Sequence, residues 1–274
     1  MTAAPAQMTP VPVPGLPPLG MLFREAWTEY RGKLGIYIRI ALMPALPALI
    51  ELVMVLGVGS VGGGAVIALV GTLVLIISSI LAQGALLLTA VRPSEITSFG
   101  EAYRKSIAYF WPLVWISFLS SLLVGGATVL FIIPGIIMSI WFTLSIVILF
   151  AENDRGFKAL LKSREYVRGY WGAIFGRVIV LGLLVGLVSS IPAGILNGFK
   201  LHTVSILYSI LISLITLPFS AIYSVKLYQQ IKDRKSVTET QVMAAKKKVL
   251  QLSLAGYGLL LVIIAVILYT IAHR

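Results

Sequence analysis

The chain has no cysteine, so disulfides, thiolate nucleophiles and cysteine-built metal sites are closed to it. It has two histidines, His202 and His273, neither in metal-ligand nor in general-base spacing. Charge is scarce: 12% of residues are charged and 58% are apolar, whereas a soluble domain is about a quarter charged. Acids are scarcer still, 10 Asp and Glu against 22 Lys and Arg. No Ser–His–acid set, catalytically spaced carboxylate pair, Walker loop or dinucleotide fingerprint occurs. The expectation is therefore a protein that is not an enzyme and holds no cofactor or metal. Residues 1–20 contain no Lys or Arg, so the basic start of a secretory signal is missing. Pro5, Pro10, Pro12, Pro14, Pro17 and Pro18 make this stretch a disordered, polyproline-like tail.

What the chain does have is long apolar runs. No residue from Ser106 to Ala151 is charged, and roughly 20 apolar residues suffice for one crossing of a bilayer, so this run holds two. Mean hydropathy is +0.98. Seven runs stand out, at 36–58, 65–90, 107–133, 136–151, 173–196, 204–225 and 249–272. In hydrocarbon each backbone amide must be satisfied within its own segment, so the runs should be helices. The fourth is the shortest, and Pro134-Gly135 before it reads as either a turn or a kink.

The basic residues lie almost entirely in alternate connections. Arg24, Arg31 and Lys33 precede the first run, and Arg92, Arg104 and Lys105 follow the second. Arg155, Lys158, Lys162, Arg164 and Arg168 follow the fourth, and seven lysines and arginines from Lys226 to Lys248 precede the last. The opposite side receives Lys200 and Arg274. The positive-inside rule then puts the N-terminus in the cytoplasm and the C-terminus outside. This placement also explains the net charge of +12 through lipid headgroups rather than nucleic acid.

The basic connections have helical periodicity of their own. Leu22, Phe23, Ala26, Trp27, Tyr30 and Leu34 form one apolar face, and Phe99, Ala102, Tyr103 and Ile107 form a second. Phe157, Leu160, Leu161, Arg164 and Val167 repeat the pattern. Each predicts an amphipathic helix in the membrane interface. Local identity between Ala102-Tyr-Arg-Lys-Ser106 and Ala159-Leu-Leu-Lys-Ser163 points to an internal repeat. The expected fold is all-α: a polytopic transmembrane helix bundle with six core spans in three repeats, each an interfacial helix plus two spans, and a seventh C-terminal span. The domains are a tail at 1–20, a six-span membrane domain at 21–228, a basic cytoplasmic connection at 229–248 and the seventh helix at 249–274.

Several of these residues also form a pattern known elsewhere. Phe23-x-x-Ala26-Trp27-x-x-Tyr30, Pro134-Gly135-Ile136 with Trp141, Glu152, Ala159-Leu-Leu-Lys-Ser163, and Gly169-Tyr170-Trp171 with Phe175-Gly176 together resemble the glycerophosphodiester phosphodiesterase membrane-domain family and its YciC-like relatives. The resemblance covers about residues 19–228. It implies a six-helix membrane module in the cytoplasmic membrane of a prokaryote. It does not imply phosphodiesterase activity, because in the fused enzymes catalysis belongs to a separate soluble barrel that has no counterpart here. The proline-rich tail and the seventh run depart from the family pattern.

Candidate site residues follow from polarity inside apolar runs. Glu51 is the one acid within a run, a proton or cation site by default. It lies about 22 Å along the helix from Ile36, so an interfacial position near the far end is the plainer reading. Arg39 and Arg177 stand just inside two runs. They would bind an anionic headgroup, pair with Glu51, or simply snorkel. Ser205, Ser209, Ser213, Thr216, Ser220 and Ser224 share one face of the sixth run, as a hydrated path or as a close-packing seam. Gly182-x-x-x-Gly186 favours packing. Pro44, Pro47 and Pro218 should shape their helices. Lys246, Lys247 and Lys248 anchor the last run and are candidate contacts for anionic lipid. The expected role is non-enzymatic: organising or binding membrane lipids at the cytoplasmic face, or partner membrane proteins. The alternative is a small-solute or lipid transporter with a polar path between the repeats.

Overall fold

The computed structural model describes residues 15–57 and 64–272, with backbone alone for residues 51–57, 64–68, 248, 260, 263–264, 266–268 and 271–272. The described residues form helices α1 (Leu19–Gly32), α2 (Leu34–Gly57), α3 (Gly64–Val91), α4 (Phe99–Ile107), α5 (Phe110–Leu130), α6 (Ile132–Phe142), α7 (Ser145–Glu152), α8 (Phe157–Val167), α9 (Trp171–Gly198), α10 (His202–Lys232) and α11 (Glu239–Ala272). The protein is an all-α, multi-pass integral membrane bundle. Among the described residues five stretches are long and apolar enough to cross a membrane: Leu69–Val91, Phe110–Leu130, Ile132–Glu152, Trp171–Gly198 and His202–Lys232. A sixth is the bent pair of α1 with α2 up to Ile50, which turns by 87°. Helix α11 carries the seventh apolar run and begins ten residues earlier, so the segment before it is largely helical.

The short helices form where the sequence has amphipathic periodicity. Leu22, Ala26 and Tyr30 recur every fourth residue on α1 and are all buried. Ser98 caps α4 by accepting from the Glu101 N–H at 3.3 Å, and the Glu101 carboxylate accepts in turn from the Thr97 N–H at 3.3 Å. Helix α8 departs from expectation. Ala159, Leu160, Leu161, Ser163, Arg164, Glu165, Tyr166 and Val167 are all buried, so protein surrounds it where a wet face was expected. Ahead of α1, the helix starts at Leu19, and the Pro17 carbonyl is held by Arg177. Residues 1–14 of the expected tail lie outside the described residues.

The turn between α5 and α6 falls at Phe131, whose backbone is extended, and not at Pro134-Gly135. Proline is favoured in a first helical turn, where its missing N–H leaves no bond unmade. Gly135 lets α6 close on α5, since a Cβ there would lie 2.1 Å from the Thr128 hydroxyl oxygen.

Packing follows one scheme around the bundle. Helix α4 lies on α3, α8 lies on α6 and α7, and α1 lies on α10. The hairpins α2–α3, α5–α6 and α9–α10 are joined edge to edge, α5 to α3, α9 to α6 and α2 to α10. At the centre α3, α7 and α10 touch one another. Burial is concentrated at the end that carries α1, α4 and α8, called the basic end below. On α3 the buried residues begin at Ala82. Leu69, Val70, Leu73, Val74, Ile76 and Ile77 on the same helix are exposed. Of α9, only Ile174 and Arg177 are buried. Helices α3 and α9 are therefore buried mainly at the basic end, whereas α5, α6 and α11 also close on one another away from it, at Gly126, Gly135 and Gly256.

Candidate functional site

The densest polar cluster of the basic end is built on Glu152. Helix α7 stops at that residue because Asn153 turns left-handed, with φ 56°. The chain then doubles back into α8, which brings Glu152 and Asp154 over Lys158 and Lys162. Lys162 pairs with Glu152 and, at 2.7 Å, with Asp154. Asp154 is also 3.0 Å from Lys158, which reaches Glu239 of α11 at 2.6 Å. From the other side Lys232 of α10 approaches Glu152 at 3.0 Å. The hydroxyls of Tyr166 and Tyr228 donate to the same carboxylate at 3.0 and 2.5 Å. Burial would lower the Lys162 pKa, but its contacts with Asp154 and Glu152 win and raise it. Burial, helped by the Glu152 charge, pushes the Tyr166 phenol up to about 12. One largely shielded carboxylate thus joins α7, α8 and α10.

Helix α10 binds the rest of the basic end in the same way. Lys226 pairs with Glu29 of α1 at 2.5 Å, and the Gln230 amide donates to Glu25 at 3.2 Å. Lys235, whose pKa burial lowers, donates to the carbonyls of Glu165 and, at 2.6 Å, Arg168. Arg164 pairs with Glu165 at 2.5 Å and stacks over Trp141 at 4.7 Å. Ser163 repairs the break between α6 and α7. It donates to the Trp141 carbonyl at 2.6 Å and accepts from the Leu144 N–H at 3.1 Å. The acids Glu25, Glu29, Glu152, Asp154 and Glu165 are therefore spent on internal contacts. Arg24, Arg31, Arg104, Arg155, Lys246 and Lys247 are exposed.

The sequence-predicted residues are spread over different places. Arg39 is exposed on α2. Arg177 is buried on α9, donating to Ala173 and Pro17 carbonyls at 2.9 and 2.5 Å. The side chains of Glu51 and Lys248, and all of His273, lie outside the described residues. His202 meets Asn197 at 3.1 Å. In the serine stripe, Ser209, Ser213, Thr216, Ser220 and Ser224 all donate to carbonyls of their own helix, at 2.6 to 3.1 Å. Ser205 instead crosses to the Ala193 carbonyl at 3.1 Å. The stripe touches two cavities. Ser205, Ser209 and Ser213 line an open groove of ≈ 480 Å³ beside α9, with Asn197 and His202. Ser220 and Ser224 line a second of ≈ 440 Å³ where α3, α7 and α10 meet, with Ser79, Gln83 and Thr143. Thr216 lines neither. A Cβ on Gly182 or Gly186 would meet nothing within 4 Å, so that motif is not a packing seam here.

Three residues of interest stood outside the candidate site residues. Glu152 and Asp154 close the fourth run, with Lys158 and Lys162 at helical spacing after them, and that charge pattern was the available signal. Gln83 is the lone amide of the second run, which marks it only once a cavity is known. Among the described residues no three His, Asp or Glu side chains gather as a metal site requires. In comparisons with known proteins, no family model matches the chain, and neither does a curated protein or a solved structure.

Proposed function

We propose that this is a non-enzymatic membrane module that binds anionic lipid headgroups through its basic end, which faces the cytoplasm. The carrying observation is the sorting of charge at that end. Glu29, Glu152, Asp154 and Glu165 are taken up by Lys226, Lys162, Lys232 and Arg164, while Arg24, Arg31, Arg104, Arg155, Lys246 and Lys247 face outward and outnumber the exposed acids Glu25, Glu95, Asp233 and Glu239. A cation beside an anionic bilayer contributes about 1 kcal/mol. The N-terminus lies in the cytoplasm and the C-terminus outside, following the positive-inside rule.

The architecture is three copies of one unit, α1–α2–α3, α4–α5–α6/α7 and α8–α9–α10, with α11 added. Each short helix rests on the last span of the preceding unit, and α1 rests on α10, which supports a closed ring. The kinship with the glycerophosphodiester phosphodiesterase membrane-domain family is a proposal carried by motif residues. Trp141, Glu152, Lys162 and Ser163 gather at the α7–α8 junction, and Phe23 and Trp27 pack on Phe219. The transporter reading draws on the two cavities, but Thr216 between them lines neither.

The test is the lipid that co-purifies from membranes of mixed phosphatidylglycerol and phosphatidylcholine. The protein should enrich phosphatidylglycerol over the bulk ratio, and Lys246→Gln with Lys247→Gln should reduce that enrichment, more so in low salt. A bulk ratio of lipids around the unaltered protein would overturn the proposal.

A further inference from the structure

The cavity between α3, α7 and α10 sits where the buried part of α3 gives way to its exposed part. One turn nearer the basic end, Leu88, Phe150 and Tyr228 are all buried and close it. Away from that end, Leu69, Leu73, Ile76 and Ile77 of α3 and Leu207, Leu211 and Ile215 of α10 are exposed, so it is continuous with the lipid-facing side. Pro44 forms part of the α2 wall. Its volume of ≈ 440 Å³ holds about fifteen groups of the size of a water at roughly 30 Å³ each, the bulk of one acyl chain.

The polar groups around it are particular. Ser220 and Ser224 donate to their own helix at 2.7 and 2.8 Å, which leaves each hydroxyl oxygen as an acceptor. Gln83 is exposed while Ala82, Gly84 and Ala85 beside it are buried, and its amide makes no hydrogen bond among the described residues. An unmatched amide is costly in hydrocarbon, so this one calls for a polar partner from outside the protein. No Asp, Glu, Lys, Arg or His lines the cavity, so a phosphate or an ion entering it would meet no countercharge. Gln83 also lies about 12 Å along α3 from its basic end, deeper than a headgroup phosphate reaches.

We propose that this cavity binds a neutral lipid of the diacylglycerol class. One acyl chain lies between α3 and α10, and a hydroxyl or ester oxygen bonds the Gln83 amide. The inference goes beyond the reading of the basic end and does not depend on it.

The experiment uses the full chain in phosphatidylcholine nanodiscs, which hold no anionic lipid, so its result is separate from the headgroup proposal. A diacylglycerol with a diazirine in one acyl chain is photolysed there and the labelled peptides are sequenced. The expected label falls on residues 79–87, 143–147 and 217–224, and is displaced by unlabelled diacylglycerol but not by phosphatidylglycerol. Ala221→Trp, which fills the cavity, abolishes the label. Gln83→Leu leaves the fold intact, should Ala221→Trp not fold, and weakens displacement about five-fold, the loss for one hydrogen bond. Label spread evenly over exposed faces such as Leu183 and Leu187 of α9, equal displacement by phosphatidylglycerol, or no change in Gln83→Leu would overturn the proposal.

Discussion

The Tyr208 hydroxyl donates to the Val188 carbonyl at 2.5 Å, and Val188 is the residue four before Pro192. A proline has no N–H, so the carbonyl four residues earlier loses its helical partner. Inside a bilayer no water replaces it. The same relationship occurs a second time. The Tyr103 hydroxyl donates at 2.9 Å to the Ile40 carbonyl, four residues before Pro44. In each case a tyrosine on a neighbouring helix supplies the bond that the proline removes, so the helix is tied to its neighbour at the proline.

The consequence is testable as a coupling. Tyr103→Phe should destabilise the protein by about 1 kcal/mol, the scale of an interhelical bond in a membrane. In a Pro44→Ala background, where the residue-44 N–H returns to Ile40, the same Tyr103→Phe change should cost much less. Unfolding in a graded detergent mixture, run on all four proteins, gives the interaction energy. Equal costs in both backgrounds would remove the proline from the account.

Ser163 does comparable work where α6 gives way to α7. Its hydroxyl both donates to Trp141 and accepts from Leu144. Ser163→Ala should therefore leave a buried N–H and a buried carbonyl unmatched, at about 1–3 kcal/mol. Ser106, which the sequence match aligns with Ser163, bonds its own helix, at the Tyr103 carbonyl. Ser106→Ala should cost less, and thermal unfolding of the two variants checks the order.

The spans were legible because an apolar run long enough to cross a membrane has few other fates. The effect of their prolines was partly legible. Pro44 marks the carbonyl it leaves without a helical partner, but the group that meets that carbonyl is the Tyr103 hydroxyl, and nothing local to either residue joins them. Pro134 misled because a proline ends one helix and opens the next equally well, and the turn fell at Phe131. Helix α8 shows a further limit. Its polar positions Lys162, Arg164 and Glu165 would look the same facing water as they do facing Glu152, Trp141 and Arg164 respectively. The serine stripe was legible as a helical face. Which hydroxyls meet a cavity depends on how α3 and α9 approach α10, and periodicity does not carry that.

Glu152 is the member of the basic-end cluster with the most partners. Glu152→Gln leaves Lys162 and Lys232 facing a neutral amide, and because Lys232 is half exposed and can turn to water the cost should be about 1–3 kcal/mol. Tyr228→Phe removes one hydrogen bond and should cost about 1–2 kcal/mol. Lys162 adds a pH signature. Its pKa is raised above the ordinary 10.5, so the stability it contributes is fully present below that value. It is lost only as pH climbs through the higher folded-state value. Stability measured across the neutral range should accordingly show no step that Lys162→Met abolishes, and the variant should differ from the parent by a constant amount there.

The attachment of α11 gives the sharpest contrast between sequence motif and structure. Ser253 donates to the Leu123 carbonyl at 3.0 Å and Tyr257 to that of Leu122 at 2.7 Å. These bonds form because Gly126 and Gly256 let the two backbones touch. A Cβ on Gly256 would lie 1.6 Å from the Gly126 carbonyl oxygen, and one on Gly126 would lie 2.7 Å from that of Ser253. Backbone cannot give way as a side chain does, so Gly256→Leu should separate α11 from α5 at the crossing. Gly182→Leu and Gly186→Leu, though drawn from the recognised packing motif, face open space and should be tolerated. The chain has no cysteine of its own, so Leu123→Cys with Ser253→Cys reports the contact directly by disulfide formation. The pair should cross-link in the parent and in both α9 variants and fail to do so with Gly256→Leu. Cross-linking that survives Gly256→Leu would mean that α11 is held by Tyr257 and the Lys158–Glu239 pair, without need of the glycine crossing.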